Sequence, residues 1–131
     1  MKVLQPPSWV RPRGFANGIA VSGGTTVYIA GQVGSTGAGA WEAKDFAGQF
    51  RQAMRNILDV LAQAGGRAEH IVRLTWYVID RDEYLAALKP VGEAYREIMG
   101  GHYPAMSVVQ VSGLVESLAR LEIEATAVIP D

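Results

Sequence analysis

Two glutamates, Glu122 and Glu124, stand in an alternating run near the C-terminal end, Leu121-Glu122-Ile123-Glu124-Ala125. On a strand, that spacing puts both carboxylates on one face. A carboxylate in a partly dry cleft can hold a water molecule, take its proton and hand it on, provided burial raises its pKa. The plainer reading is a polar strand face, solvated or paired with Arg120 or Arg73. His102 lies in a Gly100-Gly101-His102-Tyr103-Pro104 turn, where it is a site base or, more simply, a loop residue. His70 precedes a strand and has no partner in view, and two histidines so far apart make no metal motif. Ser22, Ser35 and Ser112 lack a histidine–acid partner at a persuasive spacing, which argues against serine-hydrolase chemistry. The glycines of Gly31-Gln32-Val33-Gly34 and Gly37-Ala38-Gly39 lack the Lys-Ser/Thr of a phosphate loop. Trp41, in the same Gly-rich region, could lid a cleft.

The totals narrow the chemistry further. With 131 residues the chain fits one domain, 1–131. A hydrophobic content of 49% against 19% charged residues fits a globular protein. Twelve basic residues against 13 acidic give a net charge of -1, with no basic stripe for nucleic acid. The absence of cysteine excludes disulfides, thiolate nucleophiles and Cys-ligated metals. No window approaches a membrane span and the N-terminal residues lack the apolar run of a leader, so a cytoplasmic location is the expectation.

These residues need elements to position them. Residues 1–13 carry Pro6, Pro7 and Pro12 and read as an extended lead-in. Phe15 to Ser22 and Thr25 to Val33 are apolar and β-branched runs separated by Gly23-Gly24, which predicts a hairpin. From Asp45 the period changes: Phe46, Phe50, Met54, Ile57, Leu58 and Leu61 mark a helix with one apolar stripe, stopped at Gly65-Gly66. Ile71 to Ile79 is strand-like. Asp82 to Leu88 forms a short turn, followed by a helix that takes Pro90 at its first position and buries Val91, Tyr95, Ile98 and Met99. Ala105 to Val111 and Leu118 to Val128 are the last strands. The order is β-β-α-β-α-β-β, an α+β domain whose two helices pack on one face of the sheet. In the last strand Leu121, Ile123, Ala125 and Ala127 point to the helices. Glu122 and Glu124 share the open face with Met106, Val108 and Trp76, and a half-apolar open face argues for self-association.

The chain resembles the RidA/YjgF family, also called the L-PSP or reactive-intermediate deaminase family. The pieces that carry the resemblance are Ile29-Ala30-Gly31-Gln32-Val33, Gln52 and Asn56, Leu61-Ala62-Gln63-Ala64-Gly65, the run from Ile71 to Asp80, Tyr103-Pro104-Ala105, and Leu121 to Val128. Together they span about Phe15 to the C-terminus. The resemblance implies a chorismate-mutase-like fold, a mixed sheet that assembles as a barrel-like homotrimer with small-molecule sites in the clefts between subunits. It also implies hydrolysis of reactive enamines and imines without a cofactor.

Carried over residue by residue, the resemblance places Glu122 as the group that positions the attacking water. Ala30, Gly31 and Gln32 line the substrate cleft with Phe15, Met106 and Val108. Four of these positions depart from the family pattern. Met106 stands where the family's carboxylate-gripping arginine would be, and Phe15 replaces a tyrosine. Ala30 replaces a serine or threonine, and Val108 a cysteine. The family's asparagine before the second helix has no clean match near Leu88-Lys89. Three readings follow. The first is a hydrolytic deaminase with a more apolar substrate, the second a non-catalytic small-molecule-binding trimer, and the third, weakest for want of a basic groove, an endoribonuclease or translation inhibitor.

Overall fold

Helix α1 (Phe46–Ala62) forms where apolar residues recur at three-to-four spacing. In a computed structural model that describes residues 1–131, the Asp45 carboxylate caps this helix by accepting from the Gly48 N–H at 3.1 Å. Phe46, Phe50, Met54, Ile57 and Leu61 are buried along one stripe. The helix stops where Gly65 takes a φ of 79° and the Gly66 N–H returns to the Leu61 carbonyl at 3.1 Å.

The stripe packs on a four-stranded mixed sheet. Its strands are β3 (Thr25–Val33), β4 (Ile71–Val78), β5 (Ala105–Gln110) and β6 (Leu121–Ile129), in the order β3-β6-β4-β5. β6 runs antiparallel to both neighbours, and β4 and β5 are parallel. A parallel pair needs a crossover, here supplied by α2 (Arg81–Ala86) and α3 (Leu88–Met99). Leu121, Ile123, Ala125 and Ala127 face α1 and α3 and are buried with them in one core, as the alternation in β6 predicts.

Four features differ from the sequence reading. The lead-in contains a strand, β1 (Lys2–Leu4), and β2 (Gly18–Ala20) pairs with it instead of with β3. The predicted hairpin is therefore not formed. Ala16 is held at the opposite edge of the main sheet, bridged to Ala105, which takes β2 away from β3 although Gly23 and Gly24 both turn with positive φ. Second, the Asp82–Leu88 segment is largely a helix of its own, so three helices cover the face. Third, Pro90 is the third residue of α3; the first intrahelical bond there is Val91 N–H to Ala87 O at 3.0 Å, so its missing donor costs nothing.

The fourth difference concerns faces. Trp76 is buried against Phe50, with ring centroids 4.8 Å apart, on the helix side. Its register partners are Ile123 in β6 and Val108 in β5. Met106 likewise pairs with Leu74, which pairs with Ala125. Met106, Val108 and Trp76 thus lie on the helix-covered face at its β5 edge, not beside Glu122. The register shift between Ile71 and Arg73 flips the alternation early in β4.

Polar side chains matched to the family hold the end of β3 in place. Asn56 donates through Nδ2 to the carbonyls of Val33 at 3.2 Å and Ser35 at 2.7 Å, and Gln52 donates to Asn56 Oδ1 at 2.8 Å. Gln49, buried in α1, donates to the carbonyls of Ala43 and Leu118 and accepts from the Arg120 N–H at 2.7 Å. No helix is long and apolar enough to cross a membrane.

Candidate active site

Glu122 occupies the open face of β6, opposite Val33 and Tyr77. Its carboxylate lies over the backbone of Gly31: a Cβ at Gly31 would fall 2.2 Å from Glu122 Oε2. Gly31 sits in the register shift between Ile29 and Gln32, where a bulge bends the edge strand and re-aims its neighbours. Gln32 braces this bulge, its Nε2 donating to the Ala30 carbonyl at 3.2 Å. Glycine here makes room for the carboxylate.

The neighbouring carboxylates are occupied. Glu124 accepts from the Tyr77 hydroxyl at 2.7 Å, which also raises the Tyr77 pKa. Arg120 grips Glu83 through Nε at 3.0 Å and Nη2 at 2.9 Å. Glu122 forms neither a salt bridge nor a side-chain hydrogen bond, so its pairing with Arg120 or Arg73 is not formed. Beside it on the same face, a shallow cavity of about 680 Å³ is lined by Tyr28, Ala30, Arg73, Thr75, Tyr77 and Glu124 among others.

The second part of the predicted site is on the other face. Phe15, Met106 and Val108 line a pocket of about 480 Å³ between β5 and α3. Phe15 is held there because the Ala16 N–H donates to the Pro104 carbonyl at 3.0 Å. Tyr103 stacks on Tyr95 with centroids 5.1 Å apart, and the Tyr95 hydroxyl donates to the His102 carbonyl at 2.7 Å. Burial pushes the Tyr95 and Tyr84 phenols up in pKa, so both stay neutral. The structure thus brings Phe15, Met106 and Val108 together and sets Gly31 against Glu122, with Ala30 on the same open face beside Glu124. Gln32, in register with Ile123, is not brought to the Glu122 carboxylate, and the thickness of the sheet separates the two groups.

His102 is a structural residue: its Nε2–H donates to the Ile71 carbonyl at 2.6 Å. Trp41 lines a different depression, with Gln49 and Arg120 near the start of α1, so it lids neither group. Sequence reasoning missed Arg13, Trp76, Tyr84, Gly92, Tyr95, Arg96 and Tyr103 as walls of the Met106 pocket. Arg96 had a usable signal, since it lies one turn beyond Gly92 and next to the buried Tyr95.

Comparison with known proteins agrees with this architecture. The family described as endoribonuclease L-PSP matches residues 13–129. A human 2-iminobutanoate/2-iminopropanoate deaminase is 30% identical over 79% of this chain and 72% of its own length. A RutC family protein of Haemophilus influenzae is 32% identical over 83% of each chain. Among solved structures, the Rid family protein YyfB from Yersinia pestis superimposes with a TM-score of 0.85 at 29% identity, covering 98% of both chains. A YjgF/YER057c/UK114 family member from Mycobacterium tuberculosis gives 0.66 at 32% identity, covering 89% and 88%. With a mixed α+β, chorismate-mutase-like fold and a family match over nearly its whole length, the chain belongs to the endoribonuclease L-PSP family, the RidA/YjgF proteins.

Proposed function

We propose that this protein is a cofactor-independent hydrolytic deaminase of reactive enamines and imines, with Glu122 as the catalytic group. The observation that carries the reading is the unpaired Glu122 carboxylate seated over Gly31 while Glu124 and Glu83 are bound to partners. Relatives named as iminobutanoate and iminopropanoate deaminases support the reaction class. An enamine first moves its N–H proton to the β-carbon to become the imine. Glu122 then takes a proton from water as the water oxygen bonds to the C=N carbon, and returns that proton to the nitrogen. The carbinolamine passes its hydroxyl proton to the same nitrogen as the C–N bond breaks, giving a carbonyl compound and ammonia. Water is the only co-reactant.

Because Glu122 and the Met106 pocket lie on opposite faces of one sheet, a complete site needs the carboxylate of a second copy beside the pocket of the first. The proposal therefore includes a homotrimer with intersubunit clefts. In this pocket Met106 offers a polarizable wall where an arginine would grip a carboxylate, and Phe15 and Val108 extend it. The substrate class is accordingly more apolar than iminobutanoate. Ammonia release from enamines of several amino acids, wild type against Glu122→Ala, tests this reading; equal rates in the two proteins would sink it.

A second reading is favoured by the same apolar pocket: a trimer that holds an apolar metabolite without turnover. A thermal-shift screen would then give a hit that Met106→Arg abolishes, with no ammonia release from any enamine. The charge distribution offers nothing to RNA, and incubation with RNA is expected to give cleavage no higher than buffer.

A further inference from the structure

Losing the family's arginine does not leave the Met106 pocket without charge. Arg13, in the segment before Phe15, and Arg96, on α3, both line it, and no acidic residue does. Neither arginine has a salt-bridge partner; the ion pairs of the chain use Arg51, Arg67, Arg120 and His70. The pocket also contains Trp76, which is 3% exposed and whose indole N–H is the one buried side-chain polar atom lacking a hydrogen bond. That nitrogen is closed to solvent, so what Trp76 offers the pocket is its ring.

Gly92 shows how the rim is arranged. It stands inside α3 with no positive φ, a placement that weakens a helix relative to alanine. A Cβ there would meet Arg96 Nη1 at 3.6 Å, so the guanidinium lies back over the bare glycine at the edge of the pocket. The aromatic and apolar wall therefore ends in two unpaired cations, four residues of α3 bringing one of them and the chain before Phe15 the other.

We propose that the pocket binds an amphipathic carboxylate with an aromatic body. The body rests on Met106, Val108 and Phe15 beside the Trp76 ring, and the carboxylate is held at the rim by Arg96 and Arg13. The anion anchor has thus moved from the position of Met106 to the α3 rim, leaving depth for a larger side chain. This names the substrate class of the deaminase reading and rests on it only for what happens after binding.

Titration with phenylacetate and with phenylacetamide, its uncharged counterpart of the same shape, tests the inference. Binding is followed by calorimetry and by the indole N–H resonance of Trp76, assigned with Trp76→Phe. The acid should bind at least about tenfold more tightly than the amide. The Trp76 resonance should shift, and the preference should shrink in about 1 M salt. Arg96→Gln should remove about tenfold of acid affinity and leave the amide unchanged, and adding Arg13→Gln should abolish the preference. Equal affinity for acid and amide, acid binding that survives in the double variant, or no binding of either compound would overturn the inference. Ammonia release is read separately. A wild type that turns over enamines but shows no acid preference defeats only the anchor, whereas the expected acid preference with no turnover defeats only the deaminase.

Discussion

Glu122 and Glu124 share one strand face, yet the strand opposite each decides its chemistry. Glu124 meets a hydroxyl from Tyr77, while Glu122 meets a glycine. The alternation in β6 placed both carboxylates on the open face, but nothing in it could show which was engaged. That depends on the side chains a neighbouring strand brings into register. Gly31→Ala should therefore impair catalysis while sparing the fold, because the added methyl displaces the carboxylate. We expect ammonia release to fall at least about tenfold, the equivalent of roughly 1.4 kcal/mol in the barrier, with near-native circular dichroism. Full activity in Gly31→Ala would remove the reason for calling this glycine part of the site. Glu124→Gln keeps an acceptor for Tyr77 and should leave turnover within about twofold, a change of less than 0.5 kcal/mol.

At the scale of elements, long periodic segments were legible and short ones were not. Helix α1 declares itself by a buried stripe from Phe46 to Leu61, a capping Asp45 and a stopping Gly65. Strand β4 does not. Apolar residues occupy both of its faces, and the shift between Ile71 and Arg73 reverses the parity of everything after it, which is why Trp76, Met106 and Val108 belong with the helices. Pairing is decided by competition across the molecule, so Gly23-Gly24 forms a turn without a hairpin. Gln49 is a polar residue that the apolar stripe hides in plain view; it clamps α1 to the segment before β6. Gln49→Leu strands three backbone groups and should cost about 2–3 kcal/mol in urea unfolding; an unchanged midpoint would show that the clamp carries no weight. Tyr95 provides a pH test for α3. Its folded pKa is raised by burial, so its contribution is fully present below the unfolded value near 10 and is lost as pH rises through the folded one. Thermal stability should therefore decline above about pH 10, and less steeply in Tyr95→Phe. That variant should also lose about 1 kcal/mol at neutral pH with the bond to the His102 carbonyl. Identical alkaline slopes in the two proteins would assign the loss to other groups.

At the scale of the whole molecule, the sheet divides the chemistry. One face carries the carboxylate over Gly31, the other the pocket of Phe15, Met106 and Val108. The family resemblance supplied the residues of both groups, but only the cross-strand register shows that one chain does not unite them. Light scattering should give a trimer mass, and specific activity should fall on dilution below the trimer's dissociation constant; a fully active monomer would dismiss the shared cleft. The most direct measurement is complementation between two inactive proteins. Glu122→Ala keeps the pocket and loses the carboxylate, while Val108→Trp fills the pocket and keeps the carboxylate. Each alone should release no ammonia from an enamine with an aromatic side chain. After co-refolding in equal amounts, about a quarter of the clefts pair an intact pocket with an intact carboxylate, and about a quarter of wild-type ammonia release should return. No recovery from a folded, mixed trimer, or full activity in either parent, would contradict the account.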